Sequence, residues 1–354
     1  MTELFRFDPP ADDPLGVLSG TATVMAGAAG AAHVRIDAHA VRRFADAWRG
    51  RPHPTPAEDA LHCTFLPPRR RLNVLLVLEA LNFCFWDDPP RWRVTWEGRS
   101  HDGYWALAAA LRRALVAEAL PLWDAHWLAR LDAPAVARLL RGEGRPVPLL
   151  ETRLAHLREA GAVLEARWGG QFARVVAAAQ GDAPALVRLI AAEFPSFRDE
   201  ARWQGRPVPF LKRAQICVAD LARQLAGHPL GALRGLERLT AFADYKVPQV
   251  LRKEGILVPS PALAARLDAQ QPLPAGSPEE VELRAATVWA VEWIARALNA
   301  GAGQRAAEAG AAPVTAPPLT AAPVTAADVD FLLWVAGQDP SGLRPYHRTR
   351  TPYY

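Results

Sequence analysis

Lysine is almost missing from this chain: among 41 basic residues only Lys212, Lys246 and Lys253 are ammonium groups. There is no lysine-rich tail and no long arginine block. The formal charge of +4 is small for 354 residues, even with an isoelectric point near 9.2. Stable duplex nucleic-acid binding, which rewards a continuous cationic surface, is therefore not expected. Cysteine is equally scarce. Cys63, Cys84 and Cys217 are odd in number and far apart, which excludes a disulfide framework and a zinc knuckle. The nine histidines form no HExxH, and the adjacent His62 and Cys63 have no second ligand pair at finger-like spacing, so nothing local predicts a metal, which leaves only one assembled from distant residues. No apolar run reaches membrane-spanning length, and the start MTELFRFDPPADD is too acidic and proline-containing for a signal peptide. The expectation is a soluble cytoplasmic protein, without a membrane partner and monomeric.

What is present is mainly helical patterning. Half of the residues are apolar, enough for a sizeable core. From Asp37 onward, Val41, Phe44, Ala45 and Trp48 recur at three and four residues, which predicts a short helix. Prolines 52, 54 and 56 interrupt the pattern. Residues 60–66 read either as a strand or as a buried connection. LNVLLVLEALNFCFW at 72–86 begins as a helix and ends in an aromatic cluster. Trp92, Val94 and Trp96 then alternate with polar residues, predicting a strand that returns at Gly98 into a small antiparallel piece. The phrase DAPA occurs at 132–135 and 182–185, placing an aspartate cap and a first-turn proline before a helix each time. GRPVP occurs at 144–148 and 205–209, again before helices, but the two echoes have different separations and do not make a repeat. SPEE at 277–280 predicts the start of a long helix, with serine as cap, proline at the first position and Glu280 closing a capping box. Glu292 falls on the apolar side of that helix, satisfied by an arginine or turned to a pocket. Residues 301–327 are rich in alanine and proline and read as a flexible insertion. One compact domain is expected over 1–300 and 328–354, with a small α/β subregion at about 1–105.

Charge and aromatic rings are mixed most densely between 194 and 250. The stretch FPSFRD at 194–199 is followed by a helix candidate headed by Lys212, Arg213 and Gln215, and then by FADYKVP at 242–248. Two loops, each with an acid, a base and a ring, suit the wall of a polar pocket for a planar ligand. All three lysines lie in or just after this region. A compact point charge wanted there and chance clustering both explain that.

Taken together, LNFCFW at 81–86, DGYWAL at 102–107, FPSFRD at 194–199, VPFLKRAQICVADL at 208–221, LTAFADYKVPQVL at 239–251, EVELRAATVWAVE at 280–292 and PYHRTRTPYY at 345–354 resemble the queuosine salvage protein family. The resemblance spans nearly the whole chain. It implies a helical fold similar to that of DNA glycosylases and release of the base queuine from queuosine 5'-monophosphate, with no cofactor. Alanine stands at 286, where relatives often have cysteine, and no chemical role depends on it.

Carried over by resemblance, Asp199 is the essential carboxylate. Phe83, Phe197, Tyr245 and Trp289 are candidates for stacking on the base. Lys212, Lys246, Arg348 and Arg350, with His347 beside them, are candidates for the 5'-phosphate. Asp244 either accepts from the guanine-like edge or pairs with a base such as Lys246. Two other functions fit the same rings and charges: a DNA base glycosylase, and a non-catalytic protein that binds queuine or modified tRNA.

Overall fold

The computed structural model describes residues 3–26, 30–49, 51, 59–308 and 323–354. Contacts divide the chain into two units. The first comprises Met1–Thr55, Glu200–Phe210 and Glu237–Thr349, and the second comprises Pro56–Asp199, Leu211–Leu236 and Arg350–Tyr354. Each is assembled from separate pieces of chain. The secondary structure is mainly α-helical with short antiparallel strand pairs.

The second unit is built on the helix Pro68–Ala80. From Leu72 to Ala80 every residue is buried, so this helix has no wet stripe and must be enclosed on all sides. Its neighbours are Gly103–Val116, Leu150–Trp168, Phe172–Ala178 and Lys212–Gln224. Each enclosed leucine or valine contributes roughly 1.5–3 kcal/mol of transfer free energy. The hairpin Arg93–Trp96 and Arg99–Asp102 pairs in the register Val94 to His101. Glu97 and Gly98, with φ of 48° and 77°, supply the left-handed pair that a two-residue turn requires. Asp132 and Asp182 cap their helices by accepting from the N–H groups of Ala135 and Ala185, as the DAPA phrases predict. Residues 60–66 form no strand; a 3-10 turn at Asp59–Leu61 leads into loop.

The first unit is built on the helix Pro278–Glu308, against which Val17–Ala26, Ala38–Trp48, Lys246–Lys253 and Ala326–Ala336 pack. Strands Val34–Ile36 and Leu257–Pro259 pair antiparallel, as do Glu200–Trp203 and Arg206–Pro209. The long helix starts where SPEE predicts, with one difference. The Glu280 N–H donates to Ser277 Oγ at 3.4 Å, while its carboxylate accepts from Gly276 rather than from the cap residue itself. Glu292 pairs with Arg296 one turn on, at 3.0 Å. Residues 301–308 and 326–327 of the expected insertion are helical, and 309–322 lie outside the described residues, as do the prolines at 52–56. Among the described residues no helix is long and apolar enough to cross a membrane.

Candidate active site

In the second unit the FPSFRD phrase folds into a 3-10 turn at Pro195–Phe197 that ends on Asp199. Glu159 accepts from the Ser196 N–H at 3.0 Å, while Arg213 donates to the Ser196 carbonyl. The knot is thus gripped at both backbone groups of one residue. Asp199 is itself fixed three ways. Its N–H donates to the Phe197 carbonyl at 2.9 Å, its carbonyl accepts from the Leu211 N–H at 3.1 Å, and its carboxylate Oδ2 accepts from the Lys212 N–H at 3.2 Å. Only 1% of the residue is exposed. Leu211 adopts φ 52°, and that left-handed step starts the helix Lys212–Gln224 directly at the Asp199 carboxylate. A helix N-terminus favours negative charge at that place.

Lys212 lies with its ammonium 3.2 Å from the Asn82 carbonyl, and the Asn82 amide donates to Glu79 Oε2 at 2.9 Å. Two buried arginines collect the carbonyls at this end of the central helix. Arg213 donates to Glu79 and Ala80 at 3.1 and 2.8 Å, and Arg153 donates to Leu81, Phe83, Cys84 and Pro148. Burial lowers the Arg213 pKa to about 10, and the charges of Asp199, Glu79 and Glu159 oppose that shift. Burial, with the like charge of Asp220, pushes the Glu79 carboxyl up to about 8, against the pull of the Asn82 hydrogen bond and of Lys212 and Arg213.

The same arginines occupy the rings nominated for base stacking. The Arg153 guanidinium lies 4.3 Å from the Phe83 centroid, and Arg213 lies 5.2 Å from Phe83 and 4.8 Å from Phe197. Both rings are fully buried, so they form an arginine-bearing floor instead of an open platform. Arg350 is the more accessible cation, over the Trp86 ring at 4.9 Å and 3.5 Å from Asp87. The chain after it is docked, with the Cys84 N–H donating to the Tyr354 carbonyl at 2.9 Å. Asp199, Lys212, Phe83, Phe197 and Arg350 thus belong to one unit.

The remaining candidates belong to the first unit, where each has a local duty. Asp244 Oδ1 accepts from the Lys246 and Val247 N–H groups, both at 2.8 Å, and so caps the helix Lys246–Lys253. Lys246 donates to the Gly337 carbonyl at 3.1 Å, and Tyr245 packs its ring 5.0 Å from Tyr346. Trp289 is a core ring in edge contact with Phe7. Arg348 pairs with Gln270, and its carbonyl accepts from Leu273 at 2.8 Å. His347 is enclosed, and burial followed by the charge of Arg284 lowers its pKa to about 3. Arg284 holds the Ala243 carbonyl at 3.1 Å and covers the Phe210 ring at 3.9 Å, while Asp330 accepts from the Phe242 N–H at 2.9 Å.

Arg153, Glu159, Glu79, Arg284 and Asp330 escaped sequence reasoning. Glu79 had a signal, being the one acid inside the apolar run 72–86. The others look like ordinary surface charges in their helices, and only packing reveals them. Among the described residues no three His, Cys, Asp or Glu side chains gather as a metal-ligand group.

The family model described as queuosine salvage protein matches residues 63–354. A protein of Sphaerobacter thermophilus named queuosine 5'-phosphate N-glycosylase/hydrolase is 47% identical over 344 residues, covering 97% of this chain and 98% of that relative. Proteins of the same name from Mus musculus and Dictyostelium discoideum are 34% and 33% identical. The former alignment covers 80% of this chain and 82% of the relative, and the latter 79% and 77%.

Proposed function

This chain belongs to the queuosine salvage protein family, and from that premise we propose that it hydrolyses the N-glycosidic bond of queuosine 5'-monophosphate, releasing queuine for reuse in tRNA modification. The observation that carries this reading is 47% identity with the Sphaerobacter relative over almost the full length of both chains.

Cleavage of this bond develops positive charge on the ribose, so a carboxylate close to the anomeric carbon stabilises the transition state more than the substrate. Asp199 is the proposed carboxylate. It accepts a proton from water as the oxygen bonds to C1', and the electron pair of the breaking C1'–N bond passes to the base. A 7-deaza base has no N7 lone pair to protonate. The leaving group is therefore stabilised through its amide edge and finally takes up a proton itself.

Support for Asp199 comes from its setting. A flexible acid would lose much of its effect to reorganisation, whereas this one is anchored through its N–H, its carbonyl and one carboxylate oxygen. Lys212 and Arg350 are the proposed phosphate partners in the same unit. An ammonium serves as a point charge and a guanidinium as a planar fork for phosphate oxygens. The Phe83 and Phe197 rings take no direct base contact in this scheme, because arginines already cover them.

The test is to incubate the protein with queuosine 5'-monophosphate, with the nucleoside and with guanosine monophosphate, and to detect free base by mass. Queuine from the nucleotide, with less from the nucleoside and no guanine, is expected. Absence of base from the nucleotide would overturn the proposal.

A further inference from the structure

Glu79 is a fully buried carboxylate at the last turn of the helix Pro68–Ala80, where the helix dipole opposes a negative charge. Its Oε1 has no hydrogen-bond partner among the described residues, while Oε2 accepts from the Asn82 amide at 2.9 Å. Asn82 in turn presents its carbonyl to the Lys212 ammonium at 3.2 Å, and the Lys212 N–H meets Asp199 at 3.2 Å. A continuous line of contacts thus runs from Glu79 to the proposed catalytic carboxylate. Resting on the reading of function above, we propose that Glu79 is a positioning residue: a neutral carboxylic acid that fixes Asn82 and, through its carbonyl, orients Lys212 at the helix turn that holds Asp199.

The surroundings explain why the neutral form is the one that fits. From the helix Lys212–Gln224, Asp220 opposes ionisation of Glu79, whereas Lys212 and Arg213 favour it, and Cys217 adds a fully buried thiol whose pKa is itself raised. From the helix Leu150–Trp168, Arg153 and His156 approach the same helix end, but they engage the carbonyls of Leu81 and Ala80. Burial outweighs the favourable charges and places ionisation at about 8. A neutral Glu79 still offers an oxygen to the Asn82 amide. An ionised one would compete with Asp199 for the two cations, Lys212 and Arg213, and would disturb the geometry that their contacts maintain.

Glutamine keeps the neutral shape and the acceptor but cannot ionise, and alanine removes the acceptor, so the two substitutions separate position from packing. The experiment measures kcat/KM for queuine release from queuosine 5'-monophosphate across about pH 6–10 for wild type, Glu79→Gln and Glu79→Ala, with circular dichroism to check the fold. Wild type is expected to lose activity above about pH 8, and Glu79→Gln to stay within about threefold of wild type at neutral pH while lacking that decline. Glu79→Ala is expected to fall at least about tenfold at every pH. An unchanged alkaline decline in Glu79→Gln, or equal neutral activities of the Gln and Ala variants, would overturn the role. A wild type that releases no queuine at any pH would instead remove the functional reading on which this role rests.

Discussion

Both units bury guanidinium groups, and they use them differently. In the second unit, Arg153 and Arg213 hold seven carbonyl groups between them around residues 79–84, 148 and 196, and Arg213 feels the charges of Asp199, Glu79 and Glu159. In the first unit Arg284 holds the carbonyl of Ala243 and lies 3.9 Å from the buried Glu280 carboxylate, and the other buried acids cap backbone. Glu282 accepts from Ala32, His33 and Val34, Asp330 from Phe242, and Asp244 from the first turn of its helix. Each of these three acids accepts only from backbone N–H groups in the contacts described, and fixed dipoles match its charge. The second unit keeps Asp199 and Glu79 beside buried cations, an arrangement that suits a site where charge must respond to a reaction.

The sharpest way to break this contrast is Asp199→Asn. An amide retains an oxygen for the Lys212 N–H, so folding should be preserved, while queuine release should fall by about 10²–10⁴ in kcat. Single-turnover measurements with unchanged nucleotide binding would check it, and an active variant would remove Asp199 from the chemistry. Next in size is a pair of stability measurements. Arg213→Met strands the carbonyls of Glu79, Ala80 and Ser196 and leaves Glu79 and Asp199 less compensated, so it should cost about 3–5 kcal/mol in denaturant unfolding. Arg284→Met removes one described carbonyl contact, a ring contact and the pairing with the buried Glu280, and should cost less because fewer carbonyls and acids are affected. Equal losses would mean that the two centres do the same structural work.

These centres mark the limit of what could be read from residues alone. Helix starts were legible at Asp132, Asp182 and Ser277 because a cap is a local event within three residues. The turn at Gly98 was legible for the same reason. The division into two units was not, since the pieces that form each unit are far apart in sequence. For the site, Asp199 and Lys212 stood out as part of a dense polar phrase, and the structure joins them. Phe83 and Phe197 were singled out as stacking rings for the base, and the guanidiniums that lie over them come from helices whose sequences give no hint of it.

The response to pH offers a further comparison. His347 in the first unit and His156 in the second have folded pKa values of about 3 and about 4, below the ordinary 6.5. Below pH 6.5 the unfolded chain therefore binds more protons, and each histidine removes stability as pH falls towards its folded value, by up to about 1.4 kcal/mol per pH unit. Glu79 has the opposite sign. Its folded pKa of about 8 exceeds 4.5, so its contribution is fully present below 4.5 and is lost as pH rises towards 8. Denaturant midpoints should fall on the acid side for both histidines, while Glu79→Gln should flatten the loss between about pH 5 and 8 only. An unchanged slope in that variant would show that the acid titrates normally.

The smallest effect decides whether Asp244 belongs with the scaffold. As a cap, it satisfies the N–H groups of Lys246 and Val247, and Asp182 does the equivalent work for Ala185 in the other unit. Asp244→Ala and Asp182→Ala should each lower stability by about 1 kcal/mol, and Asp244→Asn by less, because asparagine caps nearly as well. Capping needs an oxygen and not a charge. If Asp244 only caps, Asp244→Asn should release queuine with the KM of the wild type, whereas a raised KM at unchanged stability would assign its charge to the substrate and move it out of the scaffold.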